Sequence, residues 1–347
     1  MRTPVTVGVV CGVSGLGATL ARAFDELPQS SLRWICDQAP RIASVGYGPA
    51  TAWTSDFEEL LQDEDLDVVV FASSELAGSG RALAALAADK HVFVDGPLAS
   101  GSVEADEMVA AAAKRNRHLM AHSPALLRPG VLRLHRLIDR GALGEIFYVH
   151  ARRFALRAEQ QDVDVLWDLG ADTIATVLDL LGDEPVEAHA SGVSYLGRQA
   201  PDVIFAKLEF ATGIGVYVHL SCLEGETADH ISVVGSEATA VLDANDPEHE
   251  LSIFVNGPTP AEFDDLTVEQ GDKVSFRLPA ADSLPVACAR FLTAVRSKSE
   301  VQYGREASTA LAVTEALELS CANRGTVEAI APRPGRLEEN VIAFRGR

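Results

Sequence analysis

Apolar and polar positions form two different patterns along the chain, and the first pattern predicts strands and helices in alternation. A β-branched apolar run over residues 5–10 predicts a buried strand. After a glycine-rich turn, Leu16, Leu20 and Phe24 recur at helical spacing. Apolar runs and helix-period segments continue to alternate as far as a strand over residues 118–121. This alternation predicts an α/β fold with a doubly wound parallel sheet, in which ligands bind at the carboxyl ends of the strands.

The second pattern begins after Pro129, where predicted strands follow one another with little helix between them. A helix over residues 165–181 precedes a series of strands, which lie over residues 186–195, 203–210, 215–223, 231–234, 240–242 and 251–255. Such a series predicts a large open sheet that is mostly antiparallel and has one face covered. Two helices, near residues 284–295 and 307–322, end the pattern.

These patterns divide the chain into an α/β domain over residues 1–124 and a second α/β domain over residues 125–347, with the final helices free to pack back on the first domain. A chain of 347 residues is long enough for two cores. Alternating apolar residues on the second face of the large sheet predict that this face is buried against another subunit. We therefore expect a homo-oligomer, a dimer or a tetramer, formed through the C-terminal sheet.

The turn after the first strand carries closely spaced glycines. In the frame G-x-G-x-x-G the chain has Gly12, Ser14 and Gly17, with Gly15 and Leu16 between the last two. A strand, a glycine turn and a helix place a helix N-terminus and bare backbone N–H groups against a pyrophosphate. Serine adds a Cβ where the backbone must approach the phosphates, so an ordinary strand–helix turn is the alternative. The dinucleotide interpretation assigns cofactor binding to all five residues and to the first domain.

A carboxylate, Asp37, directly follows the second predicted strand. At this position a carboxylate accepts hydrogen bonds from both hydroxyls of an adenosine ribose, which favours NAD over a 2′-phosphorylated cofactor. The sequence therefore predicts NAD in preference to NADP. The loops at the carboxyl ends of later strands add Ser73, Asp95 and Pro97 as candidate cofactor contacts.

Composition narrows the classes of partner and of location. Asp and Glu number 50 against 29 Lys and Arg, and the net charge of −21 repels nucleic acid and anionic membranes alike. No apolar run is long enough to cross a membrane, and a strand begins within five residues of the start, which leaves no room for a signal peptide. Five scattered cysteines predict reduced, buried thiols in a cytoplasmic protein, and no Cys or His spacing predicts a metal site.

Several stretches, in this order and spacing, resemble one protein family. Residues 90–98 end a strand in Asp-Gly-Pro where the family has Glu-Lys-Pro, and residues 166–172 contain Trp-Asp-Leu-Gly-Ala-Asp where it has Trp-Asp-x-x-x-His. Residues 120–129 and 137–146 resemble the crossover into its second domain, and residues 233–237 resemble a glycine turn of its second sheet. The chain thus resembles the glucose–fructose oxidoreductase, inositol dehydrogenase and MocA family (Gfo/Idh/MocA).

The resemblance implies a Rossmann dinucleotide-binding domain, a substrate-binding α/β domain and hydride transfer to or from a sugar-like carbinol. In that family the lysine of Glu-Lys-Pro orients substrate and cofactor, the histidine exchanges the hydroxyl proton, and the preceding aspartate helps to hold the sugar. This chain has Gly96 at the lysine position and Asp172 at the histidine position, and it keeps the aspartate as Asp168.

These replacements change the expected acid–base chemistry. Oxidation of a carbinol needs a base whose pKa lies near the working pH. Asp172 acquires such a pKa only with help, for which the like charge of Asp168 one helical turn earlier is the candidate. The alternative is a solvated acidic pair in the first turn of a helix. His122, at the carboxyl end of a strand, is the third catalytic candidate, with a structural hydrogen bond as its alternative.

Three functions remain open from the sequence. The first is an NAD(P)-dependent oxidoreductase that acts on a sugar, a cyclitol or a sugar-derived carbinol through non-standard acid–base residues. The second is a non-redox enzyme on the same fold, such as a lyase or an epimerase. The third is a pseudoenzyme that binds a sugar-like ligand or partners an active homologue. Loss of both lysine and histidine favours the third, whereas Gly17, Asp37 and Asp168 favour the first two. No sequence feature identifies the substrate.

Overall fold

The computed structural model describes most of the chain, in two compact units. The described residues are 3–11, 15–37, 51–73, 78, 80–156, 164–246, 248–256, 270–278, 282–297 and 303–331. The first unit comprises Met1–Leu127 and Asp282–Ser308, and the second comprises Arg128–Ala281 and Thr309–Arg347.

The first unit contains a six-stranded sheet in which every pair of neighbours is parallel. Its strands are β1 (Val5–Val10), β2 (Ser30–Cys36), β3 (Ala52–Thr54), β4 (Val68–Phe71), β5 (His91–Asp95) and β6 (Leu119–His122). Their order is β3-β2-β1-β4-β5-β6, so the direction of winding reverses between β1 and β4. The predicted doubly wound sheet is confirmed, and the crevice at such a reversal is where these sheets bind ligands.

Helices connect and flank these strands. They are α1 (Leu16–Asp25), α2 (Phe57–Leu61), α3 (Arg81–Ala87), α4 (Ser102–Arg115) and, from the end of the chain, α7 (Ser283–Ser297). The central strands β1 and β4 are buried on both faces, which explains their Val-rich runs. Aromatic rings join the helices to the sheet: the centroid of Phe93 lies 5.6 Å from that of Phe24 on α1 and 5.4 Å from that of Phe291 on α7.

An ion pair between Arg33 and Asp63 connects the middle of β2 to the loop before β4. The guanidinium of Arg33 donates two hydrogen bonds to the carboxylate of Asp63, and the indole N–H of Trp34 donates a third over 2.6 Å. These hydrogen bonds, that of Arg33 above all, lower the pKa of Asp63 from 3.8 to about 2. The ionised carboxylate therefore stabilises the fold.

The lowered pKa of Asp63 predicts an acid-dependent loss of stability. Because the folded-state pKa is depressed, this contribution is complete above the unfolded pKa of 3.8 and disappears as the pH falls through about 2. Asp63→Asn is therefore expected to lower the free energy of unfolding at neutral pH and to converge with the wild type in acid. Urea unfolding at a series of pH values measures the difference. Asp65→Asn is the control, because that side chain is 80% exposed; a difference for Asp63→Asn that does not change with pH contradicts the prediction.

The second unit contains a nine-stranded sheet with the order β14-β13-β12-β11-β7-β10-β9-β8-β15. Its strands are β7 (Ile146–Phe154), β8 (Pro185–Val193), β9 (Val203–Phe210), β10 (Gly215–Ser221), β11 (Ala228–Gly235), β12 (Ala238–Asp243), β13 (Leu251–Asn256), β14 (Gln270–Phe276) and β15 (Glu328–Ala329). All neighbours are antiparallel except β7 and β10, which confirms a mostly antiparallel sheet. Parallel neighbours need a long connection, and a helix and two strands lie between these two along the chain.

Helices cover one face of this sheet. The helices of this part of the chain are α5 (Pro129–Asp139), a π-helical turn (Leu166–Gly170), α6 (Ala171–Leu181) and α8 (Tyr303–Ala322), of which α8 begins in the first unit. α5 packs on β12, and α6 packs on β7, over a core of alternate apolar strand residues. The opposite face carries aromatic side chains that are exposed within the chain, with Tyr148, Phe205 and Tyr217 at 42%, 57% and 45%.

Candidate functional site

At Gly17, α1 packs against the end of β1 with no room for a side chain. α1 begins at Leu16, and around Gly15 at its N-cap no atom of the described residues beyond the adjoining ones lies within 4 Å of a Cβ position. A Cβ on Gly17, in contrast, would lie 2.6 Å from both Cβ and Sγ of Cys11 and 2.9 Å from its Cα. This close strand–helix approach is the role of the last glycine in a dinucleotide turn. Leu16 is exposed, and the predicted contacts Gly12 and Ser14 lie outside the described residues.

A pocket of about 370 Å³ opens at the carboxyl ends of β1 and β2, within the size range of small-molecule sites. Asp37 lies on its wall, where its backbone N–H donates to the carbonyl of Thr54 over 3.0 Å. The guanidinium of Arg81, at the start of α3, lies 5.9 Å from the ring centroid of Phe57. The lining residues are Val10, Cys11, Cys36, Asp37, Ser55, Asp56, Phe57, Glu58, Gly80, Arg81 and Ala84.

The inner wall of this pocket is not reactive. Burial raises the pKa of the Cys11 thiol to about 12 and that of the Cys36 thiol to about 11. Both thiols are therefore neutral at physiological pH and act as small apolar groups. All five cysteines of the chain are free, and four of them are buried.

The charges around the pocket fit a dinucleotide that carries free ribose hydroxyls. Three carboxylates (Asp37, Asp56 and Glu58) and one guanidinium, that of Arg81, are among the lining residues. Carboxylates accept hydrogen bonds from a diol and repel a further phosphate. Gly17 adds the close strand–helix packing that a dinucleotide-binding turn uses. The residues present thus fit NAD better than NADP.

The predicted contacts beyond this pocket lie at the ends of β4 and β5. Ser73 follows β4 and is half-buried, whereas Pro97 is exposed. Gly96, which the resemblance to the family predicts at its lysine position, has a φ of +110°, and its N–H donates to the carbonyl of His122 over 3.0 Å. Among the described residues, no atom beyond the adjoining ones lies within 4 Å of the place where its Cβ would stand.

Asp95 and His122 face each other at the carboxyl ends of neighbouring parallel strands. They are register partners of β5 and β6, and Nδ1 of His122 lies 2.7 Å from Oδ1 of Asp95. The imidazole is 3% exposed and stacks on the ring of Phe93, with centroids 6.1 Å apart. Its other nitrogen, Nε2, is buried and has no hydrogen-bond partner among the described residues.

Asp168 and Asp172 lie in the second unit, at the start of the helical segment that ends at Leu181. Asp168 belongs to the π-helical turn and Asp172 to the first turn of α6. Asp164 caps this segment, since its Oδ1 accepts from the N–H groups of Leu166 and Trp167 over 3.0 and 3.2 Å. Oδ2 of Asp168 in turn accepts from the N–H of Asp164 over 3.2 Å. Asp168 therefore takes part in holding the N-terminus of its own helix.

An alternating series of charged side chains begins at Asp172. Arg153 on β7 lies 3.7 Å from Asp172 and 4.0 Å from Asp229 on β11, and its guanidinium also donates to the carbonyl of Leu169. Asp229 pairs with Arg128 at 3.1 Å, and Arg128 in turn lies 3.6 Å from Glu250. The sequence does not show that Arg128, Asp229 and Glu250 belong to this series. The carboxylate of Asp172 thus has an opposite charge beside it.

Neither a metal site nor a membrane-spanning helix occurs among the described residues. Within the ranges that the structure describes, no group of three or more His, Cys, Asp or Glu side chains is placed to hold a metal ion. In the same residues, no helix combines the length and apolar character needed to cross a membrane.

Two known family models match the chain, each over a different part. Residues 7–123 match the oxidoreductase family with an NAD-binding Rossmann fold, and residues 131–241 match the Gfo/Idh/MocA C-terminal domain. The chain belongs to the Gfo/Idh/MocA family. The resemblance noted in the sequence is confirmed, and with it a first unit that belongs to an NAD-binding Rossmann class.

Individual Gfo/Idh/MocA relatives are distant. Inositol 2-dehydrogenase of Salmonella typhimurium is 25% identical over 197 residues, which are 54% of this chain and 58% of that protein. UDP-N-acetylglucosamine 3-dehydrogenase from Acidithiobacillus ferrooxidans superposes with a TM-score of 0.75 at 22% identity, over 92% of this chain and 98% of that one. A levoglucosan dehydrogenase solved with NADH and L-sorbose has a TM-score of 0.77 at 18% identity, over 95% and 100%. The curated relative is thus matched over less than two thirds of its length, and the solved structures share the Gfo/Idh/MocA fold.

Proposed function

We propose that the protein is an NAD-dependent oxidoreductase that transfers hydride between the cofactor and a ring carbinol of a sugar, a cyclitol or a related polyol. The observation that carries this proposal is the Asp37 pocket, which stands beside the close strand–helix packing at Gly17, at the carboxyl ends of β1 and β2. In this proposal the first unit binds the dinucleotide and the second binds the substrate. Membership of an oxidoreductase family supports the same reaction type.

The described residues divide the work of cofactor binding. The N-terminus of α1 offers backbone N–H groups to the pyrophosphate, and Gly17 keeps that helix close to β1. Asp37 accepts hydrogen bonds from the adenosine ribose hydroxyls. When bound, NAD supplies the hydride acceptor, so the side chains of the protein must orient the carbinol and take its hydroxyl proton.

The substrate class is supported by the second unit and by the relatives. Arg153, Asp172 and Asp229 present charge-assisted donors and acceptors of the kind that bind the hydroxyls of a polyol. Each of the relatives named above is a dehydrogenase whose name specifies a cyclic polyol or a sugar derivative. The experiment described below also tests the two alternatives, a non-redox enzyme and a pseudoenzyme.

We also propose a homo-oligomer, a dimer or a tetramer, located in the cytoplasm. Three large aromatic side chains (Tyr148, Phe205 and Tyr217) are exposed on the uncovered face of the nine-stranded sheet, and isolated soluble chains rarely expose contiguous apolar surface. Sedimentation velocity on the purified protein measures the assembly state. A monomer at micromolar concentration contradicts this part of the proposal.

The test of the function is a fluorescence titration with NADH and with NADPH, followed by turnover assays with cyclic polyols and NAD. We expect NADH to bind in the micromolar range and NADPH to bind at least tenfold more weakly. Reduction of NAD in the presence of a polyol confirms the oxidoreductase. NADH binding without net reduction of NAD by any polyol favours the non-redox enzyme or the pseudoenzyme. Absence of binding by either dinucleotide refutes the proposal.

A further inference from the structure

We propose that Asp95 and His122 form a proton-transfer dyad, in which Nε2 of His122 accepts the hydroxyl proton of the carbinol and Asp95 positions the imidazole. This inference rests on the proposed function, because it names the base that the reaction needs. The proposal changes the role of Asp95, which the sequence predicts as a cofactor contact because of its position at the carboxyl end of β5. Asp95 is a positioning residue and His122 is the catalytic one.

The geometry of the pair fixes which nitrogen is basic. A carboxylate only accepts hydrogen bonds when ionised, so at 2.7 Å from Oδ1 of Asp95 the Nδ1 of His122 carries the proton. In a neutral imidazole, Nε2 on the other side of the ring is then the nitrogen that carries the free lone pair. This is the arrangement by which an aspartate holds a histidine base in the correct tautomer.

The surroundings of Nε2 indicate a group that a ligand completes. A buried polar atom without a partner costs about 1–3 kcal/mol, so such atoms are rare unless they serve a function. Seven such side-chain atoms occur among the described residues, and Nε2 of His122 is the one that belongs to the first unit. The rest of its ring is held by Asp95 and by stacking on Phe93. A substrate hydroxyl restores the missing hydrogen bond.

The position of the dyad in the fold suits this role. Asp95 and His122 end β5 and β6, at the edge of a parallel sheet where ligands bind. The backbone N–H of the next residue, Gly96, donates to the carbonyl of His122 and so joins the two strand ends. The dyad is thus held at both the side-chain and the backbone level.

The chemical step balances with the groups of the proposed function alone. The C–H bond of the carbinol breaks, and its electron pair leaves as hydride to the oxidised dinucleotide. The O–H bond breaks, and its proton moves to Nε2. The products are a carbonyl compound, the reduced dinucleotide and an imidazolium whose positive charge is stabilised by the adjacent Asp95 carboxylate. The reverse reaction returns the proton from Nε2 to the alkoxide.

The tautomer can be measured without turnover. In protein labelled with ¹⁵N-histidine, long-range proton–nitrogen correlation is expected to show His122 protonated at Nδ1, and His122→Gln identifies its signals among the nine histidines. Asp95→Asn offers an amide that can donate to Nδ1 and is expected to move the proton to Nε2. Asp139→Asn is the matched control, because Asp139 pairs with the exposed His135 at 3.0 Å, and it should leave His122 unchanged. An Nε2-protonated His122 in the wild type overturns the dyad.

The second measurement separates failure of the dyad from failure of the proposed function. His122→Gln is expected to bind NADH within about twofold of the wild type and to lose turnover by about 100-fold to 10,000-fold, and Asp95→Asn to lose less. Thermal unfolding identifies a variant that has not folded, in which case imidazole added to His122→Gly supplies the test by restoring turnover. Wild-type protein that does not bind NADH refutes the proposed function. Protein that binds NADH and keeps full turnover in both variants overturns the dyad alone.

Discussion

Replacement of Asp37 by alanine is expected to weaken NADH binding about 10-fold to 150-fold while the fold stays intact. The lost interaction is a pair of hydrogen bonds to a charged acceptor, and such bonds contribute about 1.5–3 kcal/mol. NADPH should lose far less affinity, because the variant also removes a charge that repels the 2′-phosphate. The preference for NADH over NADPH is therefore expected to narrow sharply. Fluorescence titration with both dinucleotides measures the effect.

Asp25→Ala provides the control for this experiment, since Asp25 is an exposed carboxylate at the end of α1 that does not line the pocket. It removes the same charge from the same unit and should leave both affinities within about twofold of the wild type, as surface charges contribute little. If Asp37→Ala binds NADH as tightly as the wild type, the adenosine ribose does not bind at this carboxylate, and the cofactor assignment of the pocket is wrong.

The second large effect is expected at Gly17. Gly17→Ala places a Cβ 2.6 Å from Cβ and Sγ of Cys11 and 2.9 Å from its Cα, so α1 must move away from β1. Overpacking of this kind costs about 1–3 kcal/mol, and the displaced helix also loses its approach to the pyrophosphate. We expect a lower free energy of unfolding in urea together with weaker NADH binding.

Gly15→Ala is the matched comparison, two residues away and in helical conformation. Among the described residues its Cβ meets no atom within 4 Å, and its φ of −61° suits alanine, so its free energy of unfolding should fall much less than that of Gly17→Ala. Equal stability of the two variants means that the turn relaxes without cost, which contradicts the close strand–helix approach.

Much of the fold could be predicted because its core elements are strongly patterned. β1 and β4 are apolar and buried, whereas β9 alternates buried with more exposed residues. These patterns predicted all three strands. The strands that were missed lack this pattern. β14 has the polar sequence Gln-Gly-Asp-Lys-Val-Ser-Phe at the edge of the sheet, while β3 and β15 contain three and two residues. Short or polar edge strands form because a neighbour offers backbone partners, and a single sequence does not show that neighbour.

The residues of the candidate site also differ in how far the sequence could predict them. Asp37 was found because its position relative to a strand end is local in sequence. The sequence could have predicted that Asp95 and His122 lie near each other, since both end neighbouring strands. Only the strand register shows that they are direct partners. The ion pairs that continue from Asp172 could not be predicted, because Arg128, just before α5, and Asp229, on β11, are 101 residues apart and meet only in the fold.

Helical spacing also gave an incomplete picture of Asp168 and Asp172. Four residues apart on an α-helix, two side chains share a face. Here a π-helical turn covers Leu166–Gly170 before α6 begins, which changes the angle between the two positions. In addition, one oxygen of Asp168 accepts the N–H of Asp164. Spacing alone therefore does not establish the two carboxylates as an acid–base unit.

The backbone at Gly96 limits the side chains that this position can carry. With a φ of +110°, the residue occupies a conformation that side chains with a Cβ rarely adopt. Gly96→Lys therefore meets backbone strain, even though among the described residues no atom beyond the adjoining ones lies within 4 Å of the Cβ position. A lysine introduced here to add an amine changes the backbone energy at the same time. Gly96→Ala meets the same strain without the amine and separates the two effects.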